Sequence, residues 1–174
     1  MELKLVAGPE KIHEAVSRLA AEITRDYAGR KPVLAGVLKG SFIFVADLAR
    51  LIEVPLQVDF ISAESYGAGT CSSGKVSIKN DLRLDVSGKD VIIVDDILDT
   101  GLTLSALCNH IRSKGAASLK VCVLLDKPAR RVIYCPADYI GMEMPDAFLV
   151  GYGLDCAEDF RCLPAIYELS EKGK

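Results

Sequence analysis

Val91-Ile92-Ile93-Val94-Asp95-Asp96-Ile97-Leu98-Asp99-Thr100-Gly101-Leu102-Thr103-Leu104 is the stretch that decides the fold. Val91 to Val94 is a β-branched apolar run, the composition of a parallel strand buried on both faces. It is entered through Ser87-Gly88-Lys89-Asp90, a turn-like tetrapeptide. Asp95 and Asp96 follow where such a strand emerges at its carboxyl end, the edge at which open α/β sheets bind ligands. Leu102, Ala106, Leu107 and Ile111 then recur at helical spacing. Strand, loop and helix in that order predict an α/β unit built on a mainly parallel sheet.

The loop asks for two opposite kinds of partner. Adjacent ionised carboxylates accept hydrogen bonds and donate none, so vicinal sugar hydroxyls or a divalent cation suit Asp95 and Asp96. Asp99-Thr100-Gly101-Leu102-Thr103 instead places a glycine and two hydroxyls at a helix N-terminus, where backbone N–H groups and the helix dipole favour a phosphate. A diol site and a phosphate site a few residues apart describe a ribose 5-phosphate. Singly, each fragment has a plainer reading: an Asp-Asp pair also serves as an N-cap or a solvated turn, and Thr-Gly-x-Thr alone is a weak phosphate signal. No Gly-Lys-Ser/Thr follows the glycine, so the P-loop pattern is absent.

The whole chain sets bounds on these readings. Its 174 residues fit one domain, residues 1–174, large enough to bury a core. A net charge of -3 and a pI near 5.4 supply no basic excess for a non-specific grip on nucleic acid, and none is expected as a partner. No apolar run reaches the roughly 18 residues of a membrane span, and Met1-Glu2-Leu3-Lys4-Leu5 lacks a signal-peptide layout, so a cytoplasmic protein is expected. Cys71, Cys108, Cys122, Cys135, Cys156 and Cys162 show no Cys-x-x-Cys spacing and read as reduced thiols. His13 and His110 fall in predicted helices and are assigned no chemistry.

Working outward, Pro9 in the first turn and the stripe Ile12, Ala15, Val16, Leu19, Ala20 and Ile23 predict a helix ending before Gly29. Val33 to Leu38 reads as a strand, and Lys39-Gly40-Ser41 leads into a helix from about Phe42 to Leu51, so a second anion site is plausible there. After a strand from Leu56 to Ile61, residues 62–74 hold three glycines and five Ser/Thr residues, a composition that buries little and reads as a lid or mobile hairpin. Residues 75–79 read as a short strand. Leu119 to Leu125 predicts another buried strand, stopped at Pro128, with Lys127 at its carboxyl end. Lys127 alone is more often a surface charge, and Arg130-Arg131 reads as solvated charge. Residues 139–155 alternate short strands with Pro and Gly turns, Phe148 alone would be a core aromatic, and residues 165–169 read as a last strand.

The central stretch closely resembles the phosphoribosyl pyrophosphate (PRPP) motif of the type I phosphoribosyltransferases, and the order of segments resembles the family's bacterial hypoxanthine(-guanine) branch over nearly the whole chain. That resemblance implies a central, mainly parallel sheet flanked by helices, a lid loop at about 62–80 and a small C-terminal hood mainly within 128–174. It implies Mg²⁺-dependent transfer of the 5-phosphoribosyl group from PRPP to N9 of hypoxanthine, and of guanine, giving IMP or GMP and pyrophosphate. Asp99 matches the catalytic acid/base, while Asp95 and Asp96 match the ribose and metal positions. The 5-phosphate would be held by Ile97, Leu98, Asp99, Thr100, Gly101, Leu102 and Thr103. Lys39 and Gly40 match the pyrophosphate loop, in which the peptide preceding the lysine is often cis, and Arg161 matches an arginine that meets pyrophosphate. Lys127 matches the lysine that contacts the oxygen at C6, Phe148 the aromatic that stacks on the purine, and Leu149 the residue whose backbone bonds its edge. Asp155 matches a second metal-contacting aspartate that also belongs to the base-binding hood, and Ser65-Tyr66 the serine-tyrosine pair of the lid. Members of the family form dimers or tetramers.

Two positions depart from the pattern: Asp95 stands where glutamate is common, and Met142 where an aromatic is frequent. Other readings remain open at this level. A transferase for xanthine or a pyrimidine shares the core motif. PRPP synthetase is disfavoured by Asp99-Thr100-Gly101 without an inserted residue, and an RNA-binding regulator on the same fold by the acid at Asp99 and the lysine at Lys127.

Overall fold

The computed structural model describes residues 1–65 and 76–170. Two sheets organise the chain. The larger is built from β2 (Val33–Leu38), β3 (Gln57–Ser65), β4 (Val76–Asn80), β5 (Asp90–Leu98), β6 (Ser118–Asp126) and β7 (Tyr139–Glu143), in the order β4-β3-β2-β5-β6-β7. All neighbours run parallel except β4, which returns antiparallel on β3. Helices α1 (Pro9–Asp26) and α2 (Phe42–Leu51) cover one face and α3 (Leu102–Ser113) the other.

The alternation along β5 shows why both faces need helices. Ile92 and Val94 pack with Leu19, Ile23, Phe44 and Leu48 of α1 and α2, while Val91 and Ile93 pack with Leu104, Leu107 and Ile111 of α3. A strand buried on both sides must be apolar at every position, as the β-branched run predicts. All four of its residues are fully buried.

Three boundaries differ from the sequence expectation. The strand expected over Val91–Val94 continues through Asp95 and Asp96 to Leu98, because β6 keeps pairing with it from Asp95↔Val123 to Leu98↔Asp126. The strand expected to stop at Ile61 continues to Ser65, where the antiparallel partner β4 supplies the ladder through Ser65↔Val76. The small sheet, in the order β1-β9-β8, takes β1 (Glu2–Ala7) from the chain's start and pairs it with β9 (Ile166–Ser170) and β8 (Leu149–Val150). The hood expected mainly within 128–174 thus gains residues 2–7 and cedes β7 to the main sheet. Tyr66 and the rest of residues 66–75, the centre of the expected lid, lie outside the described residues, as does the side chain of Ser65.

Candidate active site

The sheet makes its cleft where its two wings part. From β2 the chain proceeds to β3 on one side, and from β5 to β6 on the other, so β2 and β5 flank the topological switch point. Their pairing runs from Val33↔Val91 to Gly36↔Val94 and ends there, while β3 still holds β2 and β6 still holds β5. Beyond that point the strands separate into a cleft of about 340 Å³. Val37, Leu38 and Gly40 form one wall, and Asp95 through Leu104, apart from Leu102, form the other.

The loop into α3 is held from behind. Lys127 N donates to the Leu98 carbonyl at 3.0 Å, and Val132 N and Ile133 N both donate to the Thr100 carbonyl at 3.0 Å. Arg131 Nε donates to the Asp99 carbonyl at 3.0 Å. A trans peptide aims its N–H opposite to its C=O, so the N–H groups of Asp99, Thr100 and Gly101 turn to the cleft. Gly101 has φ +84°, and a Cβ there would lie 2.6 Å from the Ile133 carbonyl oxygen. Glycine is required both by the left-handed backbone and by the lack of room. With the N-terminus of α3 behind it, this turn is a cradle for an anion.

Asp95 is buried and Asp96 is partly so. Asp95 Oδ1 accepts from Asp96 N at 3.0 Å, and Asp96 Oδ1 accepts from Ile97 N at 2.9 Å. Burial pushes the Asp95 carboxyl well above the ordinary range, and the neighbouring Asp96 charge pushes it further. Burial raises Asp96 as well. Such a pair favours a hydroxyl donor, a proton or a cation.

The second wall carries cations. The Leu38-Lys39 peptide is cis, matching the expectation from the family resemblance. Gly40 lies directly over Asp96, where a Cβ would sit 1.9 Å from Oδ2, and Gly153 lies against the Gly40 carbonyl, where a Cβ would come within 2.0 Å. This backbone stacking brings the 153–161 segment to Lys39. Arg161 Nη1 donates to the Gly153 carbonyl at 2.8 Å, and its Nη2 lies 2.9 Å from Asp155 Oδ1 and 3.3 Å from Glu158 Oε2. Lys39 Nζ donates to the same Glu158 oxygen at 3.1 Å. Lys39 first, and Arg161 after it, hold the Glu158 carboxyl below its usual range.

Lys127 is not the surface charge its sequence context suggests. It is 5% exposed, and Nζ donates to the Ala147 carbonyl. Burial lowers its pKa, and the Asp99 charge partly restores it. The next residue, Phe148, is 55% exposed, so its ring is not spent on the core, while Leu149 is buried in β8. The lysine's partner Ala147 thus directly precedes the exposed aromatic in sequence.

Arg131 departs from the solvated reading, whereas Arg130 keeps it, with its side chain 46% exposed. Arg130 Nε lies 3.0 Å from Asp99 Oδ1, and Arg131 is anchored on the Asp99 loop and on Asp126. No local pattern betrays the contacts of Arg130 and Arg131 with Asp99 or of Glu158 with Lys39, since those partners lie far away in sequence. Among the described residues, two buried side-chain polar atoms lack a hydrogen bond: Asp99 Oδ1, whose Arg130 neighbour is close but not aligned to donate, and Arg161 Nε. One is an acceptor and the other a donor, both beside the cleft.

The phosphoribosyl transferase domain profile matches residues 8–156. The hypoxanthine-guanine phosphoribosyltransferase of Bacillus subtilis is 47% identical over 163 residues, 94% of this chain and 91% of the relative. That of Aquifex aeolicus is 46% identical over 171 residues, 98% and 96% of the two chains. The chain belongs to the phosphoribosyltransferase family, in its hypoxanthine-guanine branch. A crystal structure of a Bacillus anthracis hypoxanthine-guanine phosphoribosyltransferase superposes with a TM-score of 0.93 at 46% identity, covering 97% of this chain and all of that one. The fold is thus that of the type I phosphoribosyltransferases.

The family implies a divalent metal, and the donor set fits one held in part by its ligand. Among the described residues no three His, Cys, Asp or Glu side chains gather as a ready-made cage. The expected trio is divided: Asp95 and Asp96 share the buried strand end, whereas Asp155 is engaged by Arg161 and by Glu158 N at 2.9 Å. Mg²⁺ keeps waters and needs only one or two carboxylates beside substrate phosphate oxygens. An ion there would offset the burial that disfavours the charged forms of Asp95 and Asp96. Among the described residues no helix is long and apolar enough to cross a membrane.

Proposed function

We propose that this chain transfers the 5-phosphoribosyl group from PRPP to N9 of hypoxanthine or guanine, giving IMP or GMP and pyrophosphate, in purine salvage. The observation that carries it is Asp99 Oδ1, a buried acceptor without a hydrogen-bond donor, set between the anion-cradling turn and the buried Lys127. The 5-phosphate lies against the N–H groups of Asp99, Thr100, Gly101, Leu102 and Thr103 and the two threonine hydroxyls, behind Ile97 and Leu98. The ribose hydroxyls donate to Asp95 and Asp96. Lys39, Gly40 and Arg161 receive the pyrophosphate, and Arg161 Nε gains the acceptor it lacks. Lys127 donates to the oxygen at C6, which disfavours adenine, while Phe148 stacks on the purine and the Leu149 backbone meets its edge.

Displacement at the anomeric carbon loads negative charge on the leaving pyrophosphate, which Lys39, Arg161 and nearby N–H groups stabilise. Asp99 takes or returns the proton at N7 as the bond to N9 forms or breaks. Asp95 and Asp96, and Asp155 once released from Arg161, would hold Mg²⁺ brought in with PRPP, and the ion would supply charge neutralisation at the diphosphate. We place the enzyme in the cytoplasm, in keeping with the free cysteines Cys108, Cys122, Cys135, Cys156 and Cys162. A homodimer or homotetramer is supported by exposed apolar side chains such as Val58 and Phe60 on β3.

The test is pyrophosphate release from PRPP with hypoxanthine, guanine, xanthine, adenine and uracil, with and without Mg²⁺. Release with the first two, dependent on Mg²⁺, is expected. Release with uracil or adenine alone, or none with any base, overturns the reading.

A further inference from the structure

Arg131 adds side-chain links to the backbone bonds that already join the anion-cradling turn to the end of β6 and the segment after it. Its Nε donates to the Asp99 carbonyl at 3.0 Å, Nη2 to the Leu98 carbonyl at 3.4 Å and to the Asp126 carboxylate, and Nη1 to the Cys135 carbonyl at 3.1 Å. Asp126 ends β6 immediately before Lys127, and Leu98 and Asp99 enter the anion-cradling turn. Both partners are well shielded, with side-chain exposures of 20% for Arg131 and 14% for Asp126. The aliphatic stem also fills space beside the turn: a Cβ on Gly101 would stand 3.1 Å from Arg131 Cδ.

We propose that Arg131 is a positioning residue that fixes the spacing between the 5-phosphate cradle and the base-binding lysine, and thereby places Asp99 over the purine. This rests on the reading given under Proposed function. The physical argument lies in the shape of the guanidinium. Its donors have fixed mutual angles, so accepting partners on the turn, on the end of β6 and at Cys135 cannot shift independently. Sugar phosphate and base bind to different strands, β5 and β6. The transfer needs both held at near-bonding separation, and a displacement of about 1 Å costs about a hundredfold in rate. A lysine at 131 keeps the charge facing Asp126 but, as a point donor, cannot span three separated acceptors.

The test is Arg131→Lys and Arg131→Ala compared with wild type in PRPP-dependent IMP formation, in melting temperature, and in the affinities for ribose 5-phosphate and for pyrophosphate. In Arg131→Lys, kcat is expected to fall about tenfold to a hundredfold at temperatures where the variant is fully folded. The affinity for ribose 5-phosphate weakens in parallel. Pyrophosphate affinity stays at the wild-type value, because the cations on the opposite wall do not touch Arg131. Ethylguanidinium added to Arg131→Ala restores part of the lost kcat. A merely structural role lowers the melting temperature yet leaves kcat and ribose 5-phosphate affinity intact in the folded protein. That result, or equal loss of both anion affinities, overturns the proposal. Should wild type form no nucleotide with any base, the functional reading fails while the ribose 5-phosphate affinities still decide the role of Arg131.

Discussion

The two walls of the cleft are built on opposite plans. The wall around Thr100 and Gly101 is made of backbone: three successive carbonyls accept hydrogen bonds from residues 127–133, and the N–H groups are left pointing inward. The wall around Lys39 and Arg161 is made of side chains, and one of the charges there, Glu158, is a carboxylate standing where an anion would go. Lys39 and Glu158 are 68% and 64% exposed, so their ion pair is screened by water and weak. The contrast suits a reaction in which one anion stays with the sugar and the other departs: a rigid cradle keeps its partner, whereas a loosely paired cation cluster takes one up and lets it go.

The sharpest way to break this comparison is to remove the acid that the backbone wall carries. Asp99→Ala is expected to lower kcat by about a hundredfold or more while PRPP affinity, measured by calorimetry, changes little; near-normal turnover takes Asp99 out of the mechanism. Gly101→Ala challenges the rigid wall, since a Cβ has neither the backbone region nor the space it needs. It is expected to cost about 1–3 kcal/mol in stability by denaturant melts and to raise the KM for PRPP. An unchanged KM would show that the cradle has slack.

Arg161→Ala addresses the other wall and should raise the KM for PRPP by about tenfold. Arg161 is only 16% exposed, so most of this loss persists at high salt, whereas the loss in Lys39→Ala, whose side chain is 68% exposed, narrows. Equal salt dependence of the two would show that the whole cluster is a screened surface. Glu158→Gln removes the resident carboxylate, and tighter inhibition by pyrophosphate, by about two- to threefold, is expected in steady-state assays. Weaker inhibition would make Glu158 part of the grip instead of a competitor for it. The smallest effect concerns the strand end. Asp95 has a pKa raised by burial, so its ionised form weakens the folded state, and stability falls as pH rises from the ordinary carboxylate range through the raised value. Asp95→Asn should therefore melt a few degrees higher than wild type in the absence of ligand at pH 8, with a smaller gain at pH 5.

Much of this site is legible in one sequence because it is local. The apolar run at Val91, the glycine at a helix N-terminus and the paired aspartates all act within about a dozen residues, where strand alternation, dipole and hydrogen-bond chemistry follow from order alone. Lys39 and Arg161 are legible through family resemblance. Arg131 is not, because its partners Leu98, Asp99 and Asp126 come to it only when β5 and β6 pair, and an arginine after a proline turn otherwise reads as solvent-facing. Lys127 shows the same limit: its burial depends on Ala147, twenty residues away in the hood.

Sequence by itself determined which elements form and which chemical groups stand at their ends, since backbone preference and apolar periodicity are properties of neighbouring residues. Only the tertiary structure decided where the cleft opens, which carboxylates are buried, and that Glu158 lies between Lys39 and Arg161. Those outcomes depend on the parting of β2 from β5 after Gly36 and on the stacking of Gly153 over Gly40 and Gly40 over Asp96. Packing of that kind joins residues more than fifty positions apart, and no local rule of strand, turn or helix carries it.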